Sequence, residues 1–169
     1  SKGNGAIENA VKRSEQSIRK LRLAIEQNYK IKIPTDHSII PWLVQHSGFT
    51  YNRYQTGHDG QTPFHRVRHK TFDKQICEFG ETVHYKIPKK FIGPDLNKFD
   101  ARWGVGIFLG IRSISSEAYI GTSSGVIKCR SIRRMIPDKR FDTNVLNQCR
   151  GVPWDLDAEV DLPAEQQLK

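Results

Sequence analysis

The apolar pattern of the chain changes at Phe79-Gly80. Before this dipeptide, apolar residues recur every three or four positions, as on one face of a helix. After it, short runs rich in Val, Ile, Tyr and Phe alternate with Gly and Ser clusters. This order predicts an α+β chain in which helices come first and a small antiparallel sheet follows.

The first helix is predicted from a single apolar stripe. Its members are spaced alternately four and three apart, with Ser14 filling one gap, so they face one side of a helix of about six turns. Asn4 or Gly5 is expected to open this helix and Asn28 to lie near its end, since Pro34 cannot continue it. The stripe consists of Ile7, Val11, Ile18, Leu21 and Ile25.

Two more helices are predicted before the change of pattern. One covers residues 38–54, with Ser38 as its cap and Trp42 among the residues available for packing. The other is short and starts after the turn "TGHDG", with Thr62 as N-cap and Pro63 at the first helical position.

Four β-rich runs follow. Short strands with Gly and Ser punctuation indicate a small antiparallel barrel. We therefore divide the chain into a helical part (1–72), a barrel (73–137) and an acidic, mostly irregular tail (138–169) with Trp154 as its one large anchor. Hydrophobic residues make up 37% of the chain, which favours two modest cores. The runs are "ETVHYKIP", "WGVGIFLGI", "EAYIGT" and "GVIKCRSI".

The net charge of +9 is unevenly distributed. Residues 1–70 hold 12 Lys and Arg against 5 Asp and Glu, residues 71–142 hold 13 against 8, and residues 143–169 hold 2 against 5. Basic blocks of this kind favour a polyanion partner bound through phosphate contacts. The alternative is that the cations only keep the surface soluble.

The three cysteines, Cys77, Cys129 and Cys149, are odd in number and far apart. This argues for reduced thiols in an intracellular protein. His65 and His69 share a helical spacing, but too few further ligands lie near them to predict zinc. No apolar run reaches the length of about eighteen residues that a membrane span needs. We expect a soluble chain, without membrane partners, that begins within a domain.

Several segments, taken in order, resemble the C-terminal part of a retroviral-type integrase, most closely that of copia-like LTR retrotransposons. "NGAIE" (4–8) matches the Asn/Gln-Gly-x-x-Glu signature that carries the last acid of a DDE catalytic triad. The similarity covers about residues 3–136, and it rests on the order of its motifs rather than on any one of them. The other matching segments are Trp42, "YNR" (51–53), "GQTP" (60–63), "FG" (79–80), "YKIPKK" (85–90), "KFDARWGVGIFLG" (98–110) and "SGVIKCRSI" (124–132).

The resemblance implies a fold and a chemistry. The helices would be the end of an RNase H-like catalytic core, and the strands an SH3-like barrel. Glu8 would be a catalytic residue and a Mg²⁺ ligand in the parent protein, a polynucleotidyl transferase that joins element DNA 3′-ends to target DNA. The other two triad acids would lie upstream of residue 1, so this chain alone is expected to be inactive. The parent would act in the nucleus as a homo-oligomer.

Candidate DNA contacts come from both parts of the chain. On the first helix, Lys12 lies one turn beyond Glu8 and the resemblance places it near the scissile phosphate; an i,i+4 ion pair with Glu8 is the alternative. In the run "KCRSIRR", two cations flank Cys129 and would share one face of a strand, which suits phosphate contacts without base reading. The alternative is a basic face that contacts protein. The full set is Lys12, Arg13, Arg19, Lys89, Lys90, Lys128, Arg130, Arg133 and Arg134.

Two other functions stay open from the sequence. The chain could be a non-enzymatic DNA-binding or assembly module derived from a mobile element. It could also be an interaction domain that is basic for unrelated reasons.

Overall fold

A computed structural model of the chain describes residues 2–74, 76–91 and 102–156, with the backbone alone at residues 2, 3 and 90. Short 3₁₀ turns cover Lys89–Phe91 and Pro137–Lys139. Within these ranges the helices are α1 (Lys2–Tyr29), α2 (Ile39–Tyr54), α3 (Pro63–Arg68) and α4 (Thr143–Gln148). The strands are β1 (Thr82–Lys86), β2 (Trp103–Ile111), β3 (Ala118–Thr122), β4 (Gly125–Cys129) and β5 (Ile132–Arg134).

The first helix has the predicted period but not the predicted packing. α1 begins at Lys2, before Asn4 and Gly5, and ends at Tyr29. Ile7 is 66% exposed, whereas Ile25 and Tyr29 are buried. Burial along α1 starts only at Ser17, because the other described elements pack against its C-terminal part. The expectation of one buried stripe is therefore wrong for the first half of α1.

The second and third helices start where the sequence predicts. Thr62 caps α3, since its Oγ1 accepts a hydrogen bond from His65 N at 3.1 Å, and Pro63 follows at the first helical position. Ser38 precedes α2, but its hydroxyl donates to Cys149 O at 2.8 Å instead of capping the helix. Trp42 is fully buried against the sheet, with its ring 5.0 Å from that of Tyr119.

The five strands form one antiparallel sheet in the order β4-β3-β2-β1-β5. The run 125–132, read as one strand from sequence, splits at Arg130-Ser131 into the two edge strands. Because three peptide steps separate Cys129 from Ile132, their Cα atoms lie within about 11 Å, so the sheet curls strongly. No described ladder joins β4 to β5. The α+β class and the antiparallel strands are confirmed, but the sheet is open rather than a closed barrel.

Two apolar clusters form, and they lie on opposite faces of the same sheet. One cluster joins the end of α1, α2 and α4 to side chains such as Ile107 and Tyr119. The other fills the inside of the curl with the alternate positions, among them Val83, Phe108 and Ile120. Strand alternation therefore assigns side chains of β1 to β4 to one face or the other, and the register shift between Phe108 and Gly110 moves Ile111 to the face of Phe108.

The turn at Phe79-Gly80 ties the helices to the sheet. Gly80 has φ +81°, and a Cβ there would lie 3.4 Å from Ile25 of α1. Tyr29 donates a 2.6 Å hydrogen bond to Gly80 O. A residue with a side chain at position 80 would strain the backbone, and its Cβ would contact the packed side chain of Ile25.

The segment after Pro137 is held against the body of the protein. Leu146 of α4 and Cys149 are fully buried, and Trp42 Nε1 donates to Gly151 O at 3.1 Å. Trp154 is 76% exposed, so the expectation that it anchors the tail is wrong. Residues 138–156 contain the end of a 3₁₀ turn, α4 and irregular segments, and residues 157–169 lie outside the described residues.

Candidate nucleic-acid interface

A part of the sheet that no described helix covers brings three basic side chains and an indole together. Along β1, Val83 and Tyr85 face the inside of the curl, so His84 and Lys86 lie on the other face. Lys86 pairs with Trp103 of β2, and His84 pairs with Arg133 of β5. We call these four residues, His84, Lys86, Trp103 and Arg133, the β1–β5 patch.

The position of Arg133 is fixed by the indole of Trp103. The guanidinium carbon lies 4.3 Å from the ring centroid, within the range of a cation–π contact. A stacked guanidinium keeps its N–H donors in its own plane, where they can reach a phosphate. Neither Arg133 nor Lys86 forms an ion pair with any described carboxylate. The patch is thus a cationic surface whose charges are not neutralised by any carboxylate among the described residues.

Arg134, the next residue, has a different role. Its Nε lies 2.8 Å from Glu81 Oε1 and its Nη2 2.7 Å from Glu81 Oε2, and Glu81 is fully buried. The hydrogen bonds to Glu81 raise the pKa of Arg134. Arg140 lies 3.6 Å from the same carboxylate. Because a buried charge without its partner is strongly destabilising, Arg134 supports the fold through Nε and Nη2, which bind Glu81. Its side chain is 46% exposed, and its role as a DNA contact stays a prediction.

The other predicted cations of the sheet are dispersed. Lys89 is exposed on the 3₁₀ turn after β1, and the side chain of Lys90 lies outside the described residues. Lys128 is half-buried on β4, but Arg130 lies beyond the end of that strand. The predicted pairing of Lys128 and Arg130 on one strand face is therefore wrong, because β4 stops at Cys129. Arg130 is 87% exposed, and its Nε lies 3.8 Å from Glu117 Oε1.

The predicted site residues on α1 are all exposed. Glu8 lies beyond the first turn of α1, which contains no acid. No ion pair joins Glu8 to Lys12. Arg19 forms an exposed pair with Glu15 at 3.4 Å, and Arg13 lines a groove that faces α2. The alternative role of Lys12, a surface ion pair with Glu8, has no support in this geometry.

The described residues do not assemble a Mg²⁺ site around Glu8. Phosphoryl transfer by Mg²⁺ needs several hard oxygen ligands, and Glu8 supplies one carboxylate. In the described ranges, no three His, Cys, Asp or Glu side chains form a group that could hold a metal ion. The described residues around Glu8 therefore do not form a complete catalytic site.

The three cysteines are free, buried thiols. Burial raises the pKa of Cys77 to about 11, that of Cys129 to about 12 and that of Cys149 to about 11. Each is therefore protonated at neutral pH, which is the inert form of a thiol. They contribute to packing rather than to chemistry.

Sequence reasoning missed the role of Trp103 and His84. Trp103 belongs to "WGVGIFLG", which the sequence presents as a strand and as part of the integrase resemblance, without a role for the indole. Alternation in "TVHYK" does place His84 and Lys86 on one face, and this signal was available. The contact between Trp103 and Arg133 was not, since it depends on β5 pairing with β1.

Comparison of the chain with protein-family models, curated proteins and solved structures finds no match. Among the described helices, none combines the length and the apolar character needed to cross a membrane.

Proposed function

We propose that the chain is part of a copia-like retrotransposon integrase and that it binds DNA through the phosphate backbone. The observation that carries the DNA-binding proposal is the β1–β5 patch, a cationic surface on an open sheet face in which Trp103 holds Arg133 in place. Two features support the integrase assignment: Glu8 lies within "NGAIE" on an exposed helical surface, and the helices precede a five-stranded antiparallel sheet.

In this proposal α1 to α3 are the end of an RNase H-like core, and the curled sheet is an SH3-like module. Glu8 is one Mg²⁺ ligand of the complete parent, which joins DNA 3′-ends to target DNA as a nuclear homo-oligomer. The isolated chain is inactive. The coding sequence upstream of Ser1 tests the enzyme proposal directly, because the proposal requires two Asp residues in strand contexts there. An unrelated upstream sequence would contradict the assignment of the parent as an integrase.

Binding through the patch should not depend on DNA sequence. The cations Lys86 and Arg133 can contact phosphates, but the patch presents no element that enters a groove to read bases. With about two phosphates neutralised, the slope of log affinity against log salt would be about −1.8, or about 12-fold between 50 and 200 mM salt.

The test is a salt titration of a labelled random duplex with the wild-type chain and with Lys86→Ala/Arg133→Ala. We expect the double variant to bind more weakly and to show a shallower salt slope. Lys139→Ala is the matched control, since Lys139 is exposed on a 3₁₀ turn outside the patch. Thermal melting shows whether each variant folds. An affinity that does not change with salt, or a double variant that binds like Lys139→Ala, removes the patch from the proposal.

One observation favours a second candidate function, a non-enzymatic DNA-binding module. The β1–β5 patch is complete within the chain, whereas the acid site around Glu8 is not. Duplex binding by the chain, together with no strand transfer by its complete parent, would favour this module over the enzyme.

A further inference from the structure

A groove of about 720 Å³ lies between the middle of α1 (Arg13–Lys20) and the end of α2. The helix α1 contributes Arg13 and Lys20 to one wall, and α2 contributes Tyr51 and Tyr54 to another. The loop after α2 and the start of α3 complete the lining. None of the groove residues belongs to the β1–β5 patch.

The α1 wall of the groove is positively charged. Neither Arg13 nor Lys20 is paired with a carboxylate among the described residues. They are seven residues apart, which is about 10.5 Å along a helix axis. Arg66 also lines the groove, but Asp59 neutralises it through contacts of 2.6 and 3.0 Å. The free charge therefore follows α1 as a line, which suits a charged backbone better than a single small anion.

The α2 wall is aromatic and exposed. Tyr51 is 42% exposed and Tyr54 47% exposed, whereas the other three tyrosines are buried. Tyr54 is held in place by an edge contact with Phe72 at 5.9 Å and a 3.4 Å hydrogen bond from its hydroxyl to Lys74 O. Exposed rings that face a row of cations form the usual arrangement for binding single-stranded nucleic acid, in which bases stack on the rings.

The volume of the groove favours single-stranded over double-stranded nucleic acid. A volume of about 720 Å³ lies within the range of about 300–1,000 Å³ that holds small organic ligands. It admits one or two nucleotide units, but a duplex cannot enter it. A duplex also keeps its bases stacked inside, so the tyrosine rings would have no base face to meet.

We propose that this groove binds a single-stranded segment of nucleic acid, with phosphates along Arg13 and Lys20 and a base stacked on Tyr51 or Tyr54. This inference deepens the proposed DNA-binding function and rests on it for the identity of the polymer. It uses other residues than the β1–β5 patch, so the two can fail separately.

The experiment measures binding of a labelled eight-nucleotide oligo-dT to the full chain at constant salt. Tyr51→Ala/Tyr54→Ala should weaken binding about tenfold or more, because stacking on each ring is lost. Tyr51→Phe/Tyr54→Phe keeps both rings and should bind within about twofold of the wild type. Arg13→Ala/Lys20→Ala should also weaken binding and reduce its salt dependence. Lys139→Ala is the control for loss of one surface charge.

A second probe, an oligonucleotide of the same length with abasic sites, separates stacking from charge. The abasic probe should bind the wild type about as weakly as oligo-dT binds Tyr51→Ala/Tyr54→Ala. Combining the abasic probe with this variant should cause no further loss of affinity. Equal binding of both probes to the wild type would show a general polyanion surface and overturn the proposal. Competition by polyglutamate as strong as that by oligo-dT would overturn it as well.

Parallel titrations with duplex DNA distinguish this inference from the proposed function. If the tyrosine variants bind oligo-dT like the wild type while Lys86→Ala/Arg133→Ala loses duplex binding, the groove proposal alone fails. If the wild type binds neither DNA, both fail. Loss of oligo-dT binding in the Ala double variant, with duplex binding unchanged, supports the groove as a separate site.

Discussion

The two halves of α1 have similar apolar spacing and opposite surroundings. Ile7 is 66% exposed in the first half, whereas Ile25 is 2% exposed in the second. The acids differ in the same way: in the described ranges Glu8 has no ion-pair partner, whereas Glu26 accepts three hydrogen bonds. The second half of α1 holds the fold together, and the first half is free to present side chains to a partner. Both candidate sites on this helix, Glu8 and the groove cations, belong to the exposed part or border it.

The largest expected effect of this difference is on stability. Ile25→Ala removes a buried side chain that packs on the Gly80 turn, and it should cost about 2–5 kcal/mol. Ile7→Ala changes an exposed side chain and should cost less than about 0.5 kcal/mol. Urea unfolding of both variants measures the contrast. Equal costs would show that the first half of α1 is also packed in solution.

The same contrast between buried and exposed sites applies to two histidines. His46 of α2 is 4% exposed, its ring lies 4.9 Å from that of Phe79, and its Nδ1 has no hydrogen-bond partner among the described residues. Burial lowers the pKa of His46 to about 4, from an ordinary value of 6.5. The folded state therefore favours the neutral ring. The stability that this ring contributes is complete above pH 6.5 and is lost as the pH falls towards 4.

At about 1.4 kcal/mol per pH unit, the loss over this window is about 3 kcal/mol. His46→Leu should flatten the dependence of the unfolding free energy on pH between 7 and 4.5, whatever its cost at pH 7. His58, exposed in the loop after α2, supplies the control: His58→Leu should leave the profile unchanged. A profile as steep in His46→Leu as in the wild type would assign the acid sensitivity to other groups.

These contrasts mark where sequence reasoning succeeds and where it stops. The caps of α3 and the strands after Gly80 are set by neighbours in the chain, so local patterns predict them. The apolar stripe of α1 shows which side of the helix can be buried, but the covering elements are distant in sequence. The same limit separates Arg133 from Arg134: only the pairing of β5 with β1 places one beside Trp103 and the other beside buried Glu81.

The sequence after Pro137 contains a local signal for a short helix, α4. Asp142 accepts a 2.8 Å hydrogen bond from Asn144 N as the cap of α4, and Leu146 and Cys149 follow at helical spacing. This is a short amphipathic helix in the sequence itself. The expectation of an irregular tail anchored by Trp154 rests on the acidic composition and does not use this signal. What the sequence could not supply is the partner of that helix, which is the β2 side of the core.

A smaller effect is expected at Glu26. Its carboxylate accepts hydrogen bonds from Ile33 N at 3.1 Å, Lys32 Nζ at 3.0 Å and Arg22 Nε at 3.2 Å. The hydrogen bond from the Ile33 backbone, followed by that from Lys32, lowers the pKa of Glu26. Its contribution to stability is therefore present above the ordinary value of 4.5 and is lost as the pH falls through the lowered value.

Glu26→Gln should lower the urea midpoint at pH 7 by less than Ile25→Ala does, and the difference from the wild type should shrink below pH 4. Glu15→Gln breaks only the exposed pair with Arg19, so its midpoint should hardly move. A loss at Glu26 that persists unchanged in acid would mean that packing, and not the ionised carboxylate, accounts for it.

The smallest effect on stability, and the largest on function, is expected at Glu8. Its side chain is exposed, lies beyond the first turn and pairs with no described cation, so Glu8→Gln should leave the urea midpoint unchanged. If Glu8 is a Mg²⁺ ligand in the complete parent, the same change should abolish strand transfer, because a neutral amide oxygen cannot replace an anionic ligand. The measurement is strand transfer by the parent protein, with its melting temperature determined in parallel. Glu15→Gln, which alters another exposed acid of α1, should keep both activity and stability. Full activity in Glu8→Gln would show that Glu8 is an ordinary surface acid, and the integrase proposal for the first half of α1 would then be withdrawn.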